Sequence, residues 1–208
     1  MTSALITDYT TLQASVAEYL NRDDLTARIT GFIQLAEAKF NRELRVNSML
    51  TRLAITPSSE YQAAPADWLE SYSLELVSTV ANPPIAFVGQ AEFRDLKARQ
   101  LTGTTRYYTL VGTDLQFLPA PSTATNMMLI YYAKIAALST VSTNWLLTKS
   151  PDVYLNGSLL EAQPYLKDDD RLTTWAAIRQ QGLDAIALES ERAMRPRGQP
   201  LNARKRSF

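Results

Sequence analysis

The stretch LTARITGFIQLAEAKFNRELRV, residues 25–46, decides how the rest of the chain is read. Leu25, Ile29, Phe32, Ile33, Ala36, Phe40 and Leu44 recur at helical spacing and make one unbroken apolar stripe. Arg28, Gln34, Lys39, Arg42 and Arg45 take the other face. The spacing predicts a helix of about six turns ending near Val46, with Phe32 and Phe40 in the structural core. Just upstream, Leu12, Val16, Tyr19 and Leu20 fall on one face of a shorter helix, with Thr7 or Asp8 as its cap. Asn21 suits the stop and the next N-cap, and Asp23 and Asp24 suit the following first turn, where the helix dipole favours anions. So short a link implies that the two helices pack antiparallel.

Beyond residue 47 the period changes from 3.6 to 2. Met49, Thr51, Leu53 and Ile55 alternate with polar partners, as in a half-buried strand. Pro57 to Pro65 reads as a polar loop, and Leu74, Leu76 and Val80 as a second strand. Pro83-Pro84 breaks the chain. Gln90 to Gln100 can form a short helix with Phe93, Leu96 and Lys97 on one side. Tyr107–Val111 and Leu115–Leu118 flank the turn Gly112-Thr113-Asp114, which predicts a hairpin closed by Pro119 and Pro121. Met127–Ala133 is apolar throughout and reads as a buried strand. In Tyr107-Tyr108 and Tyr131-Tyr132 one ring of each pair faces each side of a sheet. Sheet packing explains them, and a subunit interface, where tyrosine is enriched, is the alternative.

Helix returns after Ser150-Pro151, a cap followed by proline at the first helical position. Val153, Tyr154, Leu155, Leu159, Leu160 and Ala162 supply its apolar face, and Pro164 ends or kinks it. Asp168-Asp169-Asp170 offers the cap of a last helix carrying Leu172, Trp175, Ile178, Leu183, Ile186 and Leu188. The fold class expected is α+β: a helical bundle made by both chain ends with an inserted, mostly β subdomain. One domain over 1–191 is expected, with helices in 7–47 and 150–191 and the insertion at about 48–135. Residues 192–208 are expected to form a basic, extended C-terminal arm, since Pro196, Gly198 and Pro200 oppose helix.

Composition removes most chemistry. The 208 residues include no cysteine and no histidine, and only seven glycines, none in a phosphate-cradling cluster. Thiolate nucleophiles, zinc-thiolate sites and the commonest general base are therefore excluded. Ser58, Ser59, Thr104 and Ser150 have no histidine to activate them. Helix capping explains Asp168-Asp169-Asp170 better than a divalent cation does, because three consecutive carboxylates on a turn diverge. The expectation is a non-enzyme with no cofactor and no metal. The N-terminus lacks the pattern of a signal peptide. The longest apolar run, Met127–Ala133, is far short of the ~20 residues that cross a bilayer. No membrane association is expected.

Formal net charge is zero, but it is unevenly placed. Residues 8–191 hold all 21 acids and 15 of the 21 bases. The other six bases, Arg192, Arg195, Arg197, Arg204, Lys205 and Arg206, lie in the last seventeen residues with no acid among them. An acidic body argues against sequence-specific DNA recognition. A small nucleic-acid-binding or regulatory module using the basic arm is the alternative function.

One segment carries a family likeness. Asn144-Trp145-Leu146-Leu147, then Pro151-Asp152 with Tyr154, then Leu159 with Glu161-Ala162, resembles a hallmark of head-to-tail adaptors of short-tailed bacteriophages, the tail tubular protein A type. Ala36-Glu37 and Asn41-Arg42-Glu43-Leu44 resemble that family's long second helix, and Pro65-Ala66-Asp67-Trp68-Leu69 another of its segments. Gly112 to Pro121, followed by the Tyr-Tyr strand into Lys134-Ile135 and Leu138-Ser139, also resembles it. The likeness covers about residues 5–190 and leaves the basic tail outside.

What the resemblance implies is a virion structural protein of the neck. It would form a homo-oligomeric ring of twelve subunits beneath the portal protein, extending the channel for genome ejection. Double-stranded DNA would pass through the lumen without specific binding, and the tail nozzle and tail fibre proteins would attach. Assembly would occur in the host cytoplasm. Trp145 is expected to plug the junction of bundle and insertion, with Tyr154 packed behind it. On charge and extended composition, and not on the likeness, the tail residues Arg192, Arg195, Arg197, Arg204, Lys205, Arg206 and Phe208 are expected to dock on the portal.

Overall fold

Asp8 starts helix α1 (Tyr9–Leu20) with a reciprocal capping box. Its carboxylate accepts from the Thr11 amide at 2.9 Å, and the Thr11 hydroxyl oxygen accepts from the Asp8 amide at 3.0 Å. Asn21 ends the helix in the left-handed region at φ 50°. Leu12, Val16 and Leu20 are buried, whereas Tyr19 is exposed.

The computed structural model describes residues 5–78, 84–166 and 170–195. The chain divides into two compact units: Met1–Ser48 with Ile135–Phe208, and Met49–Lys134.

The predicted second helix is shorter than its stripe. Asp23–Arg28 is a 3-10 turn, and α2 runs Ile29–Glu43. Leu44 is extended, and Arg45 donates to the Asn41 and Leu44 carbonyls, which satisfies acceptors at the helix end. All seven stripe residues are still buried. Burial follows the side chains' direction, and that survives the change of helix type at the ends.

The same unit continues after residue 135 with α4 (Trp145–Lys149), α5 (Pro151–Glu161) and α6 (Arg171–Met194). Helix α4 was not anticipated; Asn144 caps it by accepting from the Leu147 amide at 2.9 Å. Pro151 sits in the first turn of α5 as expected, but Ser150 makes no side-chain cap bond. Helix α5 is buried nearly all round, Asn156, Gly157 and Ser158 included, so it is the centre of this unit. Two glycines let its neighbours approach. A Cβ on Gly157 would meet Phe40 Cζ at 2.6 Å, and one on Gly182 of α6 would meet Val153 Cγ2 at 2.4 Å. Trp175, Leu183 and Ile186 turn inward on α6, while Ile178 and Leu188 are exposed. Asp170 gives α6 no side-chain cap; Asp168 and Asp169 lie outside the described residues.

The second unit is β-rich, with α3 (Gln90–Ala98) beside two sheets. One sheet has the order β1-β7-β3, all antiparallel: β1 (Leu50–Ile55), β3 (Trp68–Leu76) and β7 (Met127–Ala133). The other has the order β2-β6-β5-β4: β2 (Tyr61–Ala63), β4 (Ala86–Phe87), β5 (Tyr107–Val111) and β6 (Asp114–Leu118). The predicted hairpin is β5–β6, with Gly112 at φ 62° in its two-residue turn. The predicted polar loop at 57–65 contains β2, which pairs Tyr61 with Gln116 at the sheet edge. Strand β3 starts at Trp68, earlier than predicted, and Val80 lies outside the described residues. On β1 only Ile55 is buried. Leu74, Phe117, Met127, Leu129 and Tyr131 lead the core between the sheets. Phe93 and Leu96 of α3 close a smaller cluster on Val88 and Leu118. The α+β class predicted from the sequence holds.

The glycines give a paired stability prediction. Gly31 on α2 has open space where a Cβ would go. Gly31→Ala should raise unfolding free energy by about 0.5–1 kcal/mol through helix propensity. Gly182→Ala makes the same gain, but its methyl drives into the stiff, β-branched Val153. Overpacking costs about 1–3 kcal/mol, so the net should be a loss. Urea unfolding of both variants checks the opposite signs.

Candidate functional site

The residues singled out at 144–154 converge on a buried polar cluster in the helical unit. Glu37 on α2 is 6% exposed, and its Oε1 accepts from the Leu138 amide at 2.8 Å and from the Tyr154 hydroxyl at 3.3 Å. The Tyr154 oxygen accepts in turn from Asn144 Nδ2 at 2.7 Å, and that amide also donates to the Ala136 carbonyl. One turn along α2, Asn41 Oδ1 accepts from the Ile135 amide at 2.8 Å. Two α2 side chains therefore receive the chain as it re-enters the bundle, and Asn144 ties that segment to α4 and α5. Among the described residues no buried side-chain nitrogen or oxygen lacks a partner.

Electrostatics fit a fastening rather than a reaction. Burial pushes the Glu37 carboxyl above its usual range, against the opposing pull of the Leu138 and Tyr154 bonds. Burial also raises the Tyr154 hydroxyl, and the nearby Glu37 adds to it. In the β unit Tyr131 is pushed up to about 12 by burial and by donating to Asp67 at 3.0 Å. Both tyrosines stay protonated donors at neutral pH. Among the described residues no group of three or more Asp or Glu is placed to hold a metal.

The other predicted positions are spread out. Tyr154, Phe32 and Phe40 are buried, and Phe40 meets Tyr154 edge-on at 5.2 Å. Trp145 is only partly buried. It is the first residue of α4, and the leucines after it, Leu146 and Leu147, turn into the core instead. Arg192 lies on the last turn of α6, and Arg195 is its C-cap, so the arm expected from 192 starts later. Arg197, Arg204, Lys205, Arg206 and Phe208 lie outside the described residues. Tyr108 and Tyr131 face inward; Tyr107 and Tyr132 are half-buried, and Tyr132 meets the exposed Tyr72 edge-on at 6.1 Å. The signal that sequence reading missed is Glu37, a carboxylate on the buried side of an apolar stripe.

Three measurements follow from this cluster. Tyr154→Phe should cost about 1–3 kcal/mol, because Glu37 and Asn144 each lose a partner away from water. Leu147→Ala should cost about 2–5 kcal/mol and exceed Trp145→Ala, whose indole is partly solvated already. The pH dependence of Glu37 has a definite sign. A carboxyl raised on folding contributes its full stability below the ordinary glutamate range and loses it as pH rises through the folded value. Glu37→Gln carries no charge at any pH, so its melting temperature relative to wild type should climb between pH 4 and pH 8. A difference that stays flat or falls would contradict burial of the charge.

Comparison with known proteins agrees with this architectural reading. No curated protein matches the chain. A family model described as "SU10 adaptor protein" matches residues 7–204, which spans both units and leaves out only the first six and the last four residues. The match extends well beyond residue 190, so most of the basic tail lies within the family's span. By that match across nearly its whole length, the chain belongs to the SU10 adaptor protein family, a family of phage head-to-tail adaptors.

Proposed function

We propose that this adaptor forms a ring of twelve copies beneath the portal, lengthens the DNA channel and carries the tail nozzle and fibres. The observation that carries the reading is the family match spanning residues 7–204. Physical features support it. The body at residues 8–191 has 21 acids against 15 bases. A channel wall of that sign lets phosphates slide, where a cationic wall would hold them. The buried cluster around Glu37 fastens chain segments and exposes no reactive group, as suits a static part of a virion neck.

The test is electron microscopy of the protein mixed with its portal. Closed rings of twelve, stacked coaxially on the portal, are the expected result. Monomers that bind duplex DNA with a steep salt dependence, and form no ring with the portal, would favour the nucleic-acid-binding module instead.

A further inference from the structure

The three-stranded sheet of the β unit has two open edges, β1 and β3. Strand β1 pairs with β7 in continuous register, and among the described residues no main-chain bond reaches its other side. An edge six residues long, with no proline, lysine or bulge, lacks the usual devices that keep sheet edges from pairing. On the opposite edge, the Ile85 amide donates to the Leu74 carbonyl of β3 at 2.8 Å. Among the described residues, 69–73 on that strand receive no main-chain bond on their outer side. Each edge therefore leaves hydrogen-bonding groups for a further strand.

The two edges differ in shape and in charge. Leu53 of β1 pairs with the buried Leu129 and so takes the sheet's inward face, yet it is 39% exposed. It protrudes where the core ends. Beside β3 the shape is reversed: a groove of about 380 Å³ opens between β3 and β4, walled by Trp68, Tyr72, Phe87 and Tyr108. Phe87 is 60% exposed and meets Tyr108 edge-on at 5.3 Å, which holds that wall in place. On the sheet's other face, Arg52 of β1 pairs with Ile130 and Glu75 of β3 with Met128. Both are exposed, and with β7 between them neither makes an ion pair among the described residues.

We propose that β1 of one copy adds to the free edge of β3 in the next copy, with Leu53 in the aromatic groove and Arg52 reaching diagonally to Glu75. The occupant is a second copy because one chain presents both halves of the contact: a protruding cationic edge and a grooved acidic one. Both strands run antiparallel to β7, so a small rotation from copy to copy brings them together parallel. Main-chain bonds supply affinity in such strand addition, and the side-chain pocket supplies register. Two different surfaces in contact make a head-to-tail joint, the kind that closes into a ring. The proposal rests on the ring reading and names the surfaces that would build it.

Two charge reversals test it on the full chain with its portal at physiological salt, read by sedimentation and electron microscopy. Arg52→Glu and Glu75→Arg each set like charges against one another at every joint. Either alone should raise the concentration needed for assembly about tenfold, with an unchanged far-ultraviolet spectrum because both positions are exposed. Their equimolar mixture should assemble like wild type, since alternating copies restore opposite charges at every joint. Leu53→Asp sends a charge into the aromatic groove and should lower assembly as well. Assembly indifferent to the reversals, or a mixture that stays apart, overturns the strand contact while wild-type rings keep the ring reading standing. Intact rings that lose only their hold on the portal put the portal on these edges, and also overturn it. Open chains rescued by the mixture but never closing retain the contact and overturn the ring. Wild-type copies that never associate overturn both.

Discussion

The bond from the Leu138 amide to the buried Glu37 carboxylate is the constraint on which the helical unit depends. The chain leaves this unit after Ser48 and re-enters at Ile135. Apolar burial alone cannot say where the returning segment should lie on α2, because the hydrophobic effect has no direction. Glu37 and Asn41 supply that direction, one turn apart, by accepting from Leu138 and Ile135. Asn144 then carries the fix onward, since its side chain binds the Ala136 carbonyl, the Tyr154 hydroxyl and the Leu147 amide together. A buried network of this kind is costly if one member is missing, and it specifies one arrangement when all are present.

Around that cluster the packing is close. Helix α5 is approached by the Phe40 ring at Gly157 and presents Val153 to Gly182 of α6. These contacts put the hallmark segment at the centre of the unit. Its value is architectural: Asn144 and Tyr154 shape the bundle from inside, and no reactive side chain is displayed.

An adaptor needs surfaces more than a cleft. The β unit has an inner core built by β3, β5, β6 and β7 together with Ile55 and Ile85. Its outward rings Tyr72 and Phe87 are exposed. Charge is also unevenly placed, with all 21 acids and 15 of the 21 bases in residues 8–191 and the other six bases in the acid-free last seventeen residues. Ion pairs such as Lys149–Glu189 at 2.7 Å lie on exposed surface and add little stability, so solubility is the better explanation for them.

Periodicity determined the α+β class and the buried stripe of α2, turn chemistry the hairpin at Gly112, and an unbroken apolar run the strand Met127–Ala133. Each is a local signal that needs no distant partner to be read. Helix ends were less legible, because the 3-10 turn at Asp23–Arg28 and the early stop at Glu43 keep the same inward direction as a helix. Strand β2 was illegible, since Tyr61–Ala63 is only three residues, too short for alternation to register, and exists by pairing with β6. The cluster at Asn144 and Tyr154 was legible only as a segment of interest. Its partner Glu37 lies more than a hundred residues away along the chain, and spacing cannot express a contact at that separation. Trp145 is the expected plug, yet the cap at Asn144 sets the phase of α4 and turns Leu146 and Leu147 inward instead. Composition had already excluded histidine and thiol chemistry, because absence of a residue type needs no fold to interpret. Which polar groups meet in the interior was left to tertiary structure, because a buried acid is stable only where distant backbone and side chains bring it donors.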